Sequence, residues 1–157
     1  MDRRMFIESV ASGVLAMPLG ALAQQQGKVW RVGLLLQPPA SLSLPYIERF
    51  LKGMRDLGYV EGKNLVIEWR FADGKLERLP GLAAQLVQLK VDVIVAAPSP
   101  AIAAAQKATT TIPIVMASAG DPLGSGFVKS LARPQGNITG LSAIGGDTGA
   151  KQLLSLL

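Results

Sequence analysis

Apolar and β-branched runs alternate along the chain with segments whose apolar residues recur at helical spacing, a pattern typical of βαβ units. The runs predict strands at residues 29–37, 64–71, 91–97, 112–117 and 137–142. Helical spacing predicts helices at residues 45–57, 79–89, 101–109 and 124–131, and a further helix from residue 147. The expected fold class is α/β, a Rossmann-like parallel sheet of about five strands with helices on both faces.

The first two predicted strands differ in their burial pattern. Residues 32–36 are apolar at every position, as expected of a parallel strand buried on both faces. Residues 64–71 instead alternate between apolar and polar side chains. This alternation predicts a half-exposed strand at the edge of the sheet.

The first 23 residues have the order of an export signal. Arg3 and Arg4 are followed by Phe6, then by an apolar run, and then by small residues that end at Ala23. The run is broken by Pro18, and it is shorter than a membrane-spanning helix, which needs about 20 consecutive apolar residues. An uncleaved membrane anchor is therefore the less favoured alternative. We expect residues 1–23 to be a cleavable signal of the twin-arginine type and the chain to be exported to the periplasm.

Composition excludes several kinds of chemistry. The chain has no histidine and no cysteine, which removes zinc sites, Ser-His-Asp triads and thiol nucleophiles. The formal charge of +5 comes from scattered single residues, whereas nucleic-acid readers concentrate their basic residues. We therefore expect no metal, no cofactor and no nucleic-acid partner.

The loops that follow the strands carry the candidate site, because ligands of open parallel sheets bind beyond the carboxyl ends of the strands. Ser99 and Asp121 each precede a proline, as expected of a helix N-cap followed by the first helical residue. Two helix N-termini at one edge would favour a small anion by about 0.3–1 kcal/mol each when exposed. The carboxylate of Asp121 would suit an ammonium group better. The candidate ligand-binding residues are Gln37, Ser99, Pro100, Ala101, Ser118, Gly120 and Asp121.

Simpler interpretations stay open for these residues. Ser99 and Asp121 are equally consistent with capping alone, and Gln37 with an ordinary polar residue at a strand end. Residues 139–142 fit either a strand that leads out of the lobe or a plain strand with a glycine bulge. The chain lacks the glycine fingerprint of a dinucleotide-binding fold, because Gln37-Pro38-Pro39 stands after the first strand, where those glycines would have to be.

Several segments, in this order, resemble those of one protein family. They are Val32-Gly33-Leu34-Leu35, Gly53-Met54-Arg55-Asp56-Leu57-Gly58-Tyr59, Gly62-Lys63-Asn64-Leu65, residues 89–105, Thr111-Ile112-Pro113-Ile114-Val115, Gly120-Asp121-Pro122, Ser130-Leu131-Ala132-Arg133-Pro134 and Gly136-Asn137-Ile138-Thr139-Gly140-Leu141-Ser142. In these segments the chain is similar to the periplasmic substrate-binding proteins of ABC transporters. Among them it resembles the tryptophan/tyrosine-type family, whose members have the type I fold.

The resemblance implies a non-enzymatic, two-lobed protein that closes on a small ligand and delivers it to an ABC permease, and through it to the ATPase. Contact with the membrane would occur only through the permease. The ligand would be an amino acid or another small carboxylate or aromatic compound. Ligand contacts are expected after the first strand (Gln37), after the third (Ser99, Pro100, Ala101) and after the fourth (Ser118, Gly120, Asp121). Where family members often have a Thr-Gly-rich sequence, this chain has Ala96-Ala97-Pro98-Ser99, which offers fewer flexible backbone donors.

The end of the sequence bears on its domain organisation. Residues 151–157 stop inside a helical pattern, whereas family members continue through a second lobe. We therefore expect residues 24–157 to be an N-terminal ligand-binding lobe whose second lobe is missing. Two alternatives are a ligand-sensing module for a signalling partner and a small exported enzyme that uses Asp121 or Asp147 as an acid or base.

Overall fold

A computed structural model describes residues 27–142 of the chain. The strands in this range are β1 (Trp30–Leu36), β2 (Leu65–Phe71), β3 (Val93–Ala97), β4 (Ile114–Ala119) and β5 (Ile138–Ser142). The helices are α1 (Ala40–Asp56), α2 (Leu79–Gln88), which is preceded by a 3₁₀ turn at Leu76–Arg78, and α3 (Ser99–Ala108). No helix within residues 27–142 combines the length and the apolar character that crossing a membrane would require.

The strands form one sheet in the order β2-β1-β3-β4-β5, and every neighbouring pair is parallel. Leu34 of β1 lies opposite Trp69 of β2 and Val95 of β3. The five-stranded parallel α/β sheet predicted from the sequence is thus confirmed. The alternating strand β2 occupies an edge of the sheet, as its pattern predicts.

Each strand of the sheet directs alternate side chains to opposite faces. On one face, residues of β1, β3 and β4 form a core with α2 and α3, which includes Leu35, Leu86, Ile94, Ile102 and Ile114, all fully buried. On the other face, Val32, Leu34, Leu65 and Ile67 form a smaller cluster against Phe50, Leu51 and Met54 of α1. Helices therefore lie on both faces, and α1 is alone on its face within the described residues.

Helix α1 begins at Ala40, five residues before the predicted start at residue 45. The carbonyl of Pro39 accepts hydrogen bonds from the N–H of Leu42 (3.1 Å) and from the hydroxyl of Ser43 (3.1 Å). These bonds form the first turn, and Pro45 lies inside the helix. The predicted start is wrong because it follows the helical spacing of apolar residues from Ile47 onward, whereas Leu42 and Leu44 in the first turns are exposed.

The predicted helix at residues 124–131 is also wrong, since the structure has turns and bends there. The carboxylate of Asp121 accepts the N–H of Gly124 (2.8 Å), and the carbonyl of Pro122 accepts the N–H of Phe127 (2.9 Å). The bond from Gly124 to Asp121 is of the kind that a helix N-cap makes. The turn does not continue as a helix, because Gly126 has a φ of 71°, which lies outside the helical region. The helix predicted from residue 147 lies outside the described residues.

Strands β4 and β5 approach closely at one glycine. Gly140 has a φ of 134° and lies opposite Met116, and the register shifts between Met116 and Ala119. A Cβ atom at Gly140 would clash with the backbone carbonyl and N–H of Met116. Of the two interpretations of residues 139–142, the structure agrees with a strand that contains a glycine irregularity.

We predict that Gly140→Ala lowers the free energy of unfolding by more than about 2 kcal/mol, because it combines a positive φ with a backbone clash. Gly53→Ala is the matched control. Gly53 lies in α1, and a Cβ atom added there would contact no residue outside the helix within 4 Å. It should raise the free energy of unfolding by about 0.5–1 kcal/mol. Urea unfolding of the two variants measures both values, and a Gly140→Ala protein as stable as the parent would contradict the close approach.

Asp92 joins the segment before β3 to the start of β1. Its carboxylate accepts a hydrogen bond from the ammonium of Lys28 (2.6 Å) and one from the backbone N–H of Arg31 (2.8 Å). The Lys28 ammonium, with the Arg31 N–H as the second cause, holds the pKa of Asp92 below its ordinary value of 3.8. A carboxyl group whose pKa is lowered by folding stabilises the fold above its unfolded-state pKa.

We predict that Asp92→Asn lowers the urea midpoint at pH 7 and that the difference from the parent disappears toward pH 2, as the parent carboxylate becomes protonated. Glu48→Gln is the control, because Glu48 makes no ion pair among the described residues. A difference for Asp92→Asn that stays constant from pH 7 to pH 2 would show that the ionised form contributes nothing.

Candidate functional site

The candidate site lies where the strand order reverses. From β1 the chain moves to β2 on one side and then to β3 on the other, so the crevice between their loops is at the carboxyl ends of β1 and β3. Gln37 follows β1 there and is half-buried. Its N–H donates to the carbonyl of Ala97 (3.1 Å), and its carbonyl accepts the N–H of Gly74 (2.8 Å). The backbone of Gln37 thus joins the loops after β1, β2 and β3.

Ser99 connects the loops after β3 and β4. Its Oγ accepts the backbone N–H of Gly120 at 3.2 Å, across 21 positions of sequence. Ser99 is the first residue of α3, and the N-cap position belongs to Pro98, so the expectation that Ser99 caps the helix is wrong. A hydroxyl oxygen that accepts one bond keeps its own hydrogen to donate. Ser99 therefore fixes Gly120 and still has a donor.

The other residues predicted after β3 and β4 have different environments. Pro100 is exposed in the first turn of α3, whereas the side chain of Ala101 is fully buried in the core. Ser118 and Asp121 are exposed. Ser118 lies inside β4, which extends to Ala119, so its predicted place in the loop after that strand is wrong. The carboxylate of Asp121 holds a turn through Gly124 rather than a helix, so the second helix N-terminus expected at this edge does not form.

A groove of about 550 Å³ lies between α1 and the sheet, beside these loops. Of the predicted site residues, Ser118 lines it, whereas Gln37, Ser99, Gly120 and Asp121 are not part of its lining. None of the lining residues is charged. They are Leu34, Leu36, Pro38, Ser43, Tyr46, Ile47, Phe50, Val95, Ala97, Pro98, Ala117 and Ser118.

Sequence reasoning missed the contribution of α1 to this groove. Ser43, Tyr46, Ile47 and Phe50 lie at positions i, i+3, i+4 and i+7, which share one face of a helix. The hydroxyl of Ser43 is already used in the bond to Pro39, so this wall is mainly apolar. The helical spacing of Ile47 and Phe50 is visible in the sequence, but spacing alone does not separate a groove wall from a core. No group of three or more acidic side chains within residues 27–142 is placed to hold a metal ion.

A family model described as "ABC transporter substrate binding protein" matches residues 42–155. The chain is also 39% identical over 93 residues to a tyrosine-binding protein of Clostridioides difficile (strain R20291), a match that covers 59% of this chain and 27% of that protein.

Solved structures show the same likeness. A conserved domain protein from Vibrio cholerae is 35% identical with a TM-score of 0.69, over 73% of this chain and 39% of that chain. An ABC domain from Streptococcus pneumoniae, solved in complex with L-Trp, is 31% identical with a TM-score of 0.66, over 72% of this chain and 38% of that chain. The chain thus spans well under half the length of these relatives.

We predict that Ser99→Ala exposes the N–H of Gly120 to faster hydrogen exchange, because the variant removes the acceptor of that N–H. The cost to the free energy of unfolding should be about 1 kcal/mol. Ser99→Thr keeps the hydroxyl and is the matched control, with exchange close to the parent. Equal protection of Gly120 in the alanine variant would show that the bond does not hold the loop.

Proposed function

Since this chain belongs to the ABC transporter substrate-binding protein family, we propose that it is the ligand-binding first lobe of the solute-binding component of an ABC import system. In this role it captures a small molecule and delivers it to a membrane permease, which is coupled to the ATPase. The proposed ligand is an amino acid or another small carboxylate or aromatic compound, and the apolar groove favours one with an apolar or aromatic body.

The observation that carries the proposal is the convergence of loops at one edge of the sheet. The loops after β1 and β3 are joined through Gln37 and Ala97, and those after β3 and β4 through Ser99 and Gly120. Such preorganised loops reduce the entropy that binding would otherwise cost. The groove that opens beside them supplies a concave, apolar surface of the kind that small molecules occupy.

We propose that residues 24–157 act as the N-terminal lobe of a two-lobed protein, because the chain covers 39% and 38% of the length of two solved relatives. Closure of two lobes around a ligand buries it between them. One lobe alone would then provide about half of the contacts, and each loss of about 1.4 kcal/mol weakens binding tenfold. We infer weak binding by this lobe alone.

The proposed site of action is the periplasm. The order of Arg3, Arg4 and Phe6 before an apolar run and Ala23 supports export by the twin-arginine route and removal of residues 1–23. A solute-binding protein must meet its ligand outside the cytoplasmic membrane and then a permease in that membrane. Export and the proposed partners are therefore consistent with each other.

Thermal unfolding tests the proposal, because a ligand that binds only the folded state raises the midpoint. Residues 24–157 and a version extended to the length of the relatives are each scanned with amino acids and small aromatic compounds. We expect a ligand-dependent rise in the extended form and little or none in the single lobe. In the extended form, Ala117→Trp should abolish the rise by filling the groove, since Ala117 lines it.

Thr110→Trp is the control, because Thr110 is exposed in the loop between α3 and β4, away from the groove. Its ligand response should match that of the parent. A response that survives Ala117→Trp would move the site elsewhere. The absence of any response in the extended protein, across the whole panel, would contradict the proposed function.

A further inference from the structure

The start of α3 offers few backbone donors to a ligand. The first four positions of a helix normally have N–H groups without a partner inside the helix. Here those positions are Pro98, Ser99, Pro100 and Ala101, and the two prolines have no N–H. The N–H of Ala101 donates to the carbonyl of Pro98 at 3.0 Å. Only Ser99, of these four, keeps an N–H without a hydrogen bond to the described residues.

The loop after β4 also disfavours the binding of an anionic group. The N–H of Gly120 is taken by Ser99, and the N–H of Gly124 is taken by the carboxylate of Asp121. Asp121 itself is exposed and adds a negative charge. Neither residues 97–101 nor residues 118–124 include a lysine or an arginine. An anionic group brought to these loops would meet a like charge and no cation of their own.

The groove continues from the same loops and has the opposite character. Ala97, Pro98, Ala117 and Ser118 belong both to the strand ends or loops and to its lining, and its inner wall includes apolar residues such as Leu36. No charged side chain lines it. Apolar surface buried there is stabilised by the hydrophobic effect, which does not depend on charge.

We infer that this lobe selects a ligand with an apolar or aromatic body. The group of the ligand that faces the loops after β3 and β4 is neutral or cationic. The lobe discriminates against a carboxylate at that place. The inference rests on the proposed function and narrows its ligand class. A carboxylate transferred to these loops would lose hydration without gaining a charge partner from them. An ammonium group would instead have Asp121 nearby, and a neutral group would need only the hydroxyls of Ser99 and Ser118.

A series of compounds that share one ring and differ in charge tests this inference. Isothermal titration of the extended protein compares indole, which is neutral, tryptamine, which is cationic, and indole-3-acetate, which is anionic. L-Tryptophan serves as the zwitterion. We expect indole and tryptamine to bind at least about tenfold more tightly than indole-3-acetate.

A double variant tests the cause. Pro100→Ala restores an N–H in the first turn of α3, and Asp121→Asn removes the charge while its amide oxygen still accepts the N–H of Gly124. Together they should strengthen binding of indole-3-acetate about tenfold relative to indole. Pro80→Ala is the matched control, because Pro80 lies in the first turn of α2 and does not line the groove. Its ratio of affinities should equal that of the parent.

Each outcome has a distinct meaning. A parent protein that binds indole-3-acetate as tightly as indole, or more tightly, overturns this inference alone. A double variant with an unchanged ratio of affinities and a parent-like unfolding midpoint does so as well. Aliphatic amino acids that raise the midpoint while no indole compound binds also overturn it, and leave the proposed function standing. Failure of every compound, amino acids included, contradicts the proposed function itself.

Discussion

Parallel pairing of β1 with both β2 and β3 is the constraint on which the site depends. Because parallel strands all end at the same edge, pairing brings residues that are distant in sequence to one crevice. The hydrogen bond from Gln37 to Ala97 extends the β1–β3 ladder beyond the strands. The bond from the N–H of Gly120 to the Oγ of Ser99 joins the loop after β4 to the start of α3. Loss of the sheet register would separate all of these groups at once.

The two faces of the sheet are covered unequally, and the groove results from this difference. Parallel sheets are normally buried on both faces. Helices α2 and α3 close one face over β1, β3 and β4, where Ile94 and Ile114 are fully buried. On the other face α1 packs mainly over β1 and β2, and within residues 27–142 no helix lies over β4 and β5. Val95 and Ala117 are therefore left to line a groove.

The strands could be predicted from sequence because a buried parallel strand requires a run of apolar residues, as in residues 32–36, and an edge strand alternates, as in β2. The helix starts were less predictable. The helical spacing of apolar residues places the start of α1 at residue 45, but the bonds to Pro39 begin the helix at Ala40. Asp121 has the signature of a cap, but its carboxylate holds an isolated turn. The sequence predicts Ser99 as a ligand contact, whereas its bond to Gly120 depends on a tertiary approach that no local pattern reveals.

The chemistry of this lobe follows from how its polar groups are used. The hydroxyl of Ser99, the carboxylate of Asp121 and the carbonyl of Gln37 all accept backbone N–H groups, so they hold loops in place. The groove beside them is lined mainly by apolar residues and has no charged side chain, so in the proposed role it would distinguish ligands mainly by shape. When two ligands differ by one methylene, an apolar pocket changes their relative binding free energy by only about 1–3 kcal/mol. A charged group that loses its hydration without gaining a partner costs more binding free energy than that. In the proposed binding role, selectivity at this edge of the sheet would therefore come more from the charges that it excludes than from the shapes that it accepts.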